Sequence, residues 1–290
     1  MQKFKRDPNY LLAYCVQTAL LFAALDVILA ATRNLSWRFG VTPVDALIPL
    51  AVLLFCGLPS SLMHNCAHGN VGRRWVNQLV GELCGTIMLY GFGGFRLGHL
   101  FHHKYPDNPK YDPHPPQGLS FPAFLVAPVK ATLLVIETAY YESFGETDAA
   151  KANIRWQRRL FKLDVALKVV FWLLLFGPKG FVLFYLPLYL ANIFVFAHIN
   201  YATHVDRGDG QIEIIDLTSG IYYRAVNLIS FGGYFHKTHH LRPRTFNPSR
   251  AVLPAELRER PLLSFRMPAA AAATRQESSH PLVLAGRRSS

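Results

Sequence analysis

Apolar residues in this chain fall in long unbroken runs rather than at the three-to-four-residue intervals of a surface helix. Tyr10 to Thr32, Ala46 to Met63, Val165 to Phe176 and Phe181 to Ala197 are such runs. Most of them come near the roughly 20 residues that a helix needs to cross the hydrocarbon of a bilayer. They predict an all-α polytopic membrane protein with about four transmembrane helices. A large soluble protein with buried helices is the rival reading of the same runs. Two further apolar stretches are less regular. Trp75 to Phe95 carries Glu82 and several glycines, and Phe121 to Tyr141 carries Pro122, Pro128, Lys130 and Glu137. Both are expected as interfacial helices, the first of them re-entrant where protein covers it. The turn Gly177-Pro178-Lys179-Gly180 joins the last two runs into a hairpin, so four spans leave both termini on one side.

Charge orients this arrangement. The 290-residue chain is 51% hydrophobic and carries a formal net charge of +12. Its basic residues gather at one set of span ends: Lys3, Lys5 and Arg6, then Arg73 and Arg74, then Lys151, Arg155, Arg158, Arg159 and Lys162. By the positive-inside rule those ends are cytoplasmic. Such a face suits anionic headgroups and an acidic electron-transfer partner. A nucleic-acid partner is not expected, because the basic residues flank spans instead of interleaving with exposed aromatics. The first run is too long for a signal peptide and contains Gln17 and Asp26, which predicts an uncleaved span. Cys15, Cys56, Cys66 and Cys84 form no CxxC pair, so neither a disulfide framework nor a thiolate zinc site is indicated. From Arg242 onward Arg, Pro, Ala and Ser predominate, with the run Ala269 to Ala273. The expected division is a membrane domain over 1–260 and a disordered tail over 261–290.

Histidine placement supplies the chemistry. His99, His102 and His103 form one His-x-x-His-His cluster, and His236, His239 and His240 form another. A helix puts the three rings of such a cluster on one face. His64 and His68 share a face at i, i+4 just beyond Pro59. Asn200 and His204 do so after the fourth span, whereas His198 points away from them. Nine imidazoles exceed what one ion can use and imply two metals with four or five ligands each. Spacing alone leaves iron, zinc, manganese and copper open. Haem is disfavoured because axial ligands would sit within spans rather than beyond their ends. His114, His198 and His280 are read as ordinary histidines. Asp107, Asp112 and Asp206 are close enough in sequence to accept the outward N–H of ligand histidines. Trp75, Tyr90, Phe92 and Phe95 are candidates to line an apolar substrate tunnel.

His64-Asn65-Cys66-Ala67-His68, His99-Leu100-Phe101-His102-His103 and His236-Lys237-Thr238-His239-His240 resemble the three histidine boxes of the membrane fatty acid desaturase superfamily. The resemblance covers about residues 10 to 255. It implies a diiron centre at the cytoplasmic face, with O2 as co-substrate, and Asn200 acting through a water. It implies an acyl lipid or acyl thioester substrate. No fused donor segment is evident, so a separate ferredoxin- or cytochrome b5-like protein is expected to supply electrons. The three-residue gap of the first box is nearer to acyl-lipid desaturases and carotenoid ketolases than to acyl-CoA desaturases. Gly81 to Tyr90 and Asp112-Pro113 are similar to the ketolases, whereas Asn200 fits the desaturases. The expected activity is therefore desaturation of a fatty acyl chain, with ketolation or hydroxylation as the alternative. A non-enzymatic metal carrier would spread its ligands along a path through the spans, and here they gather at one edge.

Overall fold

The first apolar run folds as a single helix, α2 (Tyr10–Ala31), preceded by a short α1 (Gln2–Arg6). At 1.5 Å per residue α2 is about 33 Å long, which matches the hydrocarbon core of a bilayer. The computed structural model describes residues 2–32, 47–114 and 119–264. The Ala269 to Ala273 run, His280 and the tail from 265 onward lie outside the described residues.

The second run is two helices rather than one. α3 (Leu47–Cys56) stops at Gly57, and α4 (Pro59–His68) begins with proline at the first helical position, where a missing N–H leaves nothing unpaired. Gly57 has φ +76°, and a Cβ there would lie 2.3 Å from the Phe231 ring. Glycine is thus required where the Leu58 N–H donates to Ile229 O at 2.8 Å. The Trp75 to Phe95 stretch is likewise divided between α5 (Arg74–Ile87) and α6 (Phe92–Lys104). Each is only about 20 Å long, too short to cross. A Cβ on Gly85 would come 2.5 Å from Tyr90 O, so the fold-back between the two helices needs a residue without one. Met63, Cys66 and Ala67 of α4 pack there against Cys84 and Phe92. Cys66 is therefore a packing residue, and all four cysteines are free thiols.

α8 (Asp148–Gly180) opens at Thr147, whose hydroxyl accepts the Ala150 N–H at 3.2 Å, and its helical dihedrals fail at Gly177 (φ +69°). The chain turns there and continues through a π-helical turn, Phe181–Tyr185, into α9 (Leu186–Thr203). The reversal is visible in Trp172, which stacks on Tyr185 at 5.0 Å; a straight helix would separate them by about 20 Å. The Trp172 indole N–H and the Tyr185 hydroxyl donate to Thr86 O and Ile87 O, tying the hairpin to the end of α5. α2 packs along α8, with Phe22 edge-on to Phe171 and the Lys168 ammonium over its ring.

Four helical stretches are long and apolar enough to cross a membrane: Tyr10–Ala31, Pro49–His68, Phe121–Phe144 and Asp148–Thr203, the last containing the hairpin. The stretch expected at the interface is thus a continuous helix, α7 (Phe121–Phe144), of spanning length. Both of its ends nevertheless meet the histidine-bearing end of the fold. Phe121 packs on His198 and Tyr201, and Glu142 bonds Lys110 and Tyr111, in the segment just after α6.

Beyond α9 the chain builds a small antiparallel sheet, β1 (His204–Asp206), β2 (Ile212–Ile214) and β3 (Leu262–Ser264), in that spatial order. β3 falls in the stretch expected to be disordered. It is ordered because its backbone pairs with β2, placing Ser264 opposite the buried Ile212. α10 (Ile221–Ile229), α11 (His236–Leu241) and α12 (Ala255–Glu259) complete the histidine end.

Candidate metal centre

Four separate parts of the chain bring nine histidines to one place. α4 supplies His64 and His68, α6 supplies His99, His102 and His103, the α9–β1 junction supplies His204, and α11 supplies His236, His239 and His240. They sort into two groups, each with its ligand atoms within 4.8 Å of one another. The first holds His64, His68, His99, His103 and His239, and the second holds His102, His204, His236 and His240. Each His-x-x-His-His cluster feeds both groups. In α6 the i, i+4 pair His99 and His103 goes to the first and His102 to the second. In α11 the i, i+4 pair His236 and His240 goes to the second and His239 to the first.

The inward ring nitrogens crowd together. His68 and His99 bring their Nε2 atoms within 2.7 Å, His103 and His239 within 2.9 Å, and His204 and His236 within 3.1 Å. In the second group the outward nitrogens fix which tautomer is present. His102 Nδ1 donates to Asp112, whose two carboxylate oxygens lie 3.0 and 2.9 Å away, and His204 Nδ1 donates to Asp107 Oδ2 at 2.8 Å. The Nε2 lone pairs of both rings therefore face inward. His102 Nε2 is buried and has no hydrogen-bond partner among the described residues. A buried acceptor left bare among three other imidazoles fits a metal ion, and carboxylates behind ligand histidines are the usual support for one.

Burial favours the neutral form of six of these rings. Burial, reinforced by neighbouring imidazoles, holds His99, His102, His236, His239 and His240 well below the ordinary histidine value and takes His103 down to about 3. Burial pushes the Asp112 carboxyl well up, and the neighbouring Asp107 adds to it. Burial acts the same way on Asp107 but is outweighed by His204 and the Ser264 hydroxyl, which bring it below the ordinary carboxylate value.

The remaining sequence candidates are placed as follows. Asp206 is exposed and accepts the Gly208 N–H at 2.8 Å in a turn. Asn200 is buried beside His64, His236 and His239 around a small cavity; its amide donates to Phe196 O, so its acceptor capacity remains with Oδ1. His198 turns away and bonds the Tyr234 hydroxyl. Sequence reasoning missed three supports. Asp216 accepts the Thr238 N–H and hydroxyl at 3.0 and 2.6 Å and so anchors α11 between its histidines. Ser264 donates to Asp107. His114 packs 4.8 Å from His102, and burial lowers it to about 4.

A larger apolar cavity, about 1240 Å³ counting the part open to its surroundings, reaches this centre. Met63, Phe95, Phe124, Ile193 and Phe196 line it, with His99 and His114 among its walls. Of the aromatic residues expected to line a tunnel, Tyr90 and Phe95 do so. Phe92 instead fills the contact between α4, α5 and α6, and Trp75 is 64% exposed. Phe196 borders both this cavity and the smaller one beside Asn200.

The fatty acid desaturase family model matches residues 42–250, and these contain all nine histidines and Asn200. The chain belongs to that family. It is also similar to an sn-1 oleoyl-lipid 12-desaturase from Picosynechococcus sp., at 41% identity over 46 residues, covering 16% of this chain and 13% of the relative. The chain thus spans only a small part of that relative's length. No solved structure matches the chain. Membership is in keeping with the four helices of spanning length and with the apolar cavity beside the histidines.

Proposed function

We propose that this protein is a multi-pass desaturase that introduces a double bond into a fatty acyl chain at a diiron centre on the cytoplasmic face. The observation that carries the reading is the pair of histidine groups, five and four strong, set against the wall of an apolar cavity. Two iron ions would be held by His64, His68, His99, His103 and His239 on one side and by His102, His204, His236 and His240 on the other. Asn200 contributes through a water. Bound iron supplies the redox chemistry that no side chain has, activating O2 with two electrons from a separate ferredoxin- or cytochrome b5-like donor. The balance is two hydrogens removed from the chain, with O2, two electrons and two protons leaving as two waters.

The protein's own residues do the rest. Asp107 and Asp112 fix the orientation of His204 and His102 by accepting their Nδ1–H, so the lone pairs stay aimed inward. Burial keeps the imidazoles neutral and able to bind. Met63, Phe95, Ile193 and Phe196 offer an acyl chain an apolar path and leave its methylenes beside His99. The spacing of the first box and Asp112-Pro113 favour a second reading, in which oxygen is delivered to a carotenoid or other lipid as a ketolase or hydroxylase would.

Mass spectrometry of total lipids and isoprenoids from a host expressing the wild type or His239→Ala separates these. A wild-type-only acyl product lacking two hydrogens is expected. A wild-type-only product that has gained oxygen would move the protein to the second reading. No difference between the two hosts would remove both.

A further inference from the structure

A second cavity, about 650 Å³ counting the part open to its surroundings, lies against the apolar one, and Tyr90 and Phe161 belong to the walls of both. Their rings meet edge-on, with centroids 5.7 Å apart, and form the partition. Both cavities are mostly apolar, and the second has a few polar side chains in its walls. Leu11, Leu133 and Ile136 line it together with Tyr14, Gln157 and Asp164.

Most of these polar groups already have partners. The Tyr14 hydroxyl donates to both Glu82 oxygens at 2.7 and 2.9 Å, Gln157 donates to Asn153, and Arg158 pairs with Glu137. Asp164 is different. It is 4% exposed, and one oxygen pairs with Lys168 Nζ at 2.7 Å. The other, Oδ1, is buried without a hydrogen-bond partner among the described residues. A bare carboxylate oxygen in such surroundings is costly and calls for a donor. Lys168 already neutralises the charge, so the donor it lacks is a neutral one, a hydroxyl or an amide N–H.

We propose that this second cavity seats the polar end of the substrate. The ligand class is an elongated lipid ending in a hydroxyl or amide N–H. That end bonds Asp164 Oδ1, and its apolar chain passes between Tyr90 and Phe161 toward the cavity that reaches His99. The inference rests on the reading of that first cavity as the site of the chain being oxidised.

The test needs no turnover. Detergent-solubilised full-length protein is photolabelled with a long-chain fatty alcohol carrying a diazirine near its hydroxyl, and with the matching methyl ether, which cannot donate. The alcohol should label peptides spanning Leu11 to Thr18 and Ile154 to Asp164 at about tenfold lower concentration than the ether, as expected for one hydrogen bond to a charged acceptor. Gly94→Leu should fill the cavity and cut labelling about tenfold. Gly94 lines it, and a Cβ there meets nothing nearer than Tyr90 Cε1 at 3.7 Å. Equal labelling by alcohol and ether would mean that water satisfies Asp164 and would overturn the proposal, as would a Gly94→Leu protein that labels like the wild type. If Gly94→Leu fails to accumulate in the membrane, the alcohol–ether comparison decides alone. Labelling as expected without any oxidised lipid in the host would sink the proposed reaction and leave this subsite standing; the reverse pattern would do the opposite.

Discussion

Asp112 faces His102 with both carboxylate oxygens, 3.0 and 2.9 Å from Nδ1, in a setting where neither side chain reaches solvent. The same carboxylate accepts the Asp107 N–H at 2.6 Å and the His114 N–H at 2.8 Å, so one residue sets both the ring and the loop behind it. Replacing it with asparagine keeps the volume and removes the charge. Asp112→Asn should lower iron affinity by about 10- to 100-fold, the usual cost of losing a carboxylate behind a ligand histidine. Asp206→Asn, in its exposed turn, should leave affinity unchanged. Iron content measured across a chelator series would show it, and an Asp112→Asn protein that holds iron like the wild type would remove the supporting role.

The two groups differ in redundancy. One has five histidines and the other four, so losing a ring leaves four in the first and three in the second. His240→Ala should therefore reduce bound iron to about one ion per chain, whereas His68→Ala should retain nearly two, since four ligands still make a closed set. His102→Ala, His204→Ala and His239→Ala should each abolish turnover while leaving membrane insertion intact. Metal analysis of purified protein tests the difference, and equal losses in His68→Ala and His240→Ala would show that the groups do not act as two sites.

The nine histidines were legible because ligand geometry constrains spacing, and i, i+3 and i+4 on a helix leave a mark in a single sequence. Which ring joins which group was not legible. That depends on how α6 and α11 cross, and it divides each cluster between two centres. Sequence proximity pointed equally to Asp107, Asp112 and Asp206, but only packing separates a carboxylate facing a buried imidazole from one closing a turn. Ser264 and Asp216 left no signal: they act through contacts to residues 157 and 22 positions away, and their residue types are common everywhere. The apolar runs exposed the spans, yet composition could not distinguish an interfacial α7 from one of spanning length, and the break at Gly57 depends on Phe231, far along the chain.

Acid should destabilise the metal-free protein over a defined window. His103 and His114 are lowered from the ordinary 6.5 to about 3 and about 4 by burial. Below pH 6.5 the unfolded chain takes up protons at these positions while the folded chain does not. The unfolded state then binds more protons, so stability falls with pH through this window and levels off near pH 3, where His103 also protonates when folded. Thermal unfolding in detergent after chelation should show the midpoint dropping steadily from about pH 6.5 downward. A flat midpoint across that range would mean that the rings are hydrated.

Gly98 sits next to His99 on the wall of the apolar cavity, and a Cβ there would meet Pro113 and Thr132 at 3.5 Å, an ordinary contact. Alanine therefore fits, while the longer side chain of leucine must extend into space that an acyl chain would use. Gly98→Ala should keep most activity. Gly98→Leu should lower turnover about tenfold or more by displacing the reacting carbon from its position beside the centre, where a shift near 1 Å already costs about 100-fold. Iron content should be unchanged in both, because neither substitution touches a ligand nitrogen. Loss of iron in Gly98→Leu would assign the defect to the centre instead, and wild-type turnover in that variant would show that the substrate does not pass through this cavity.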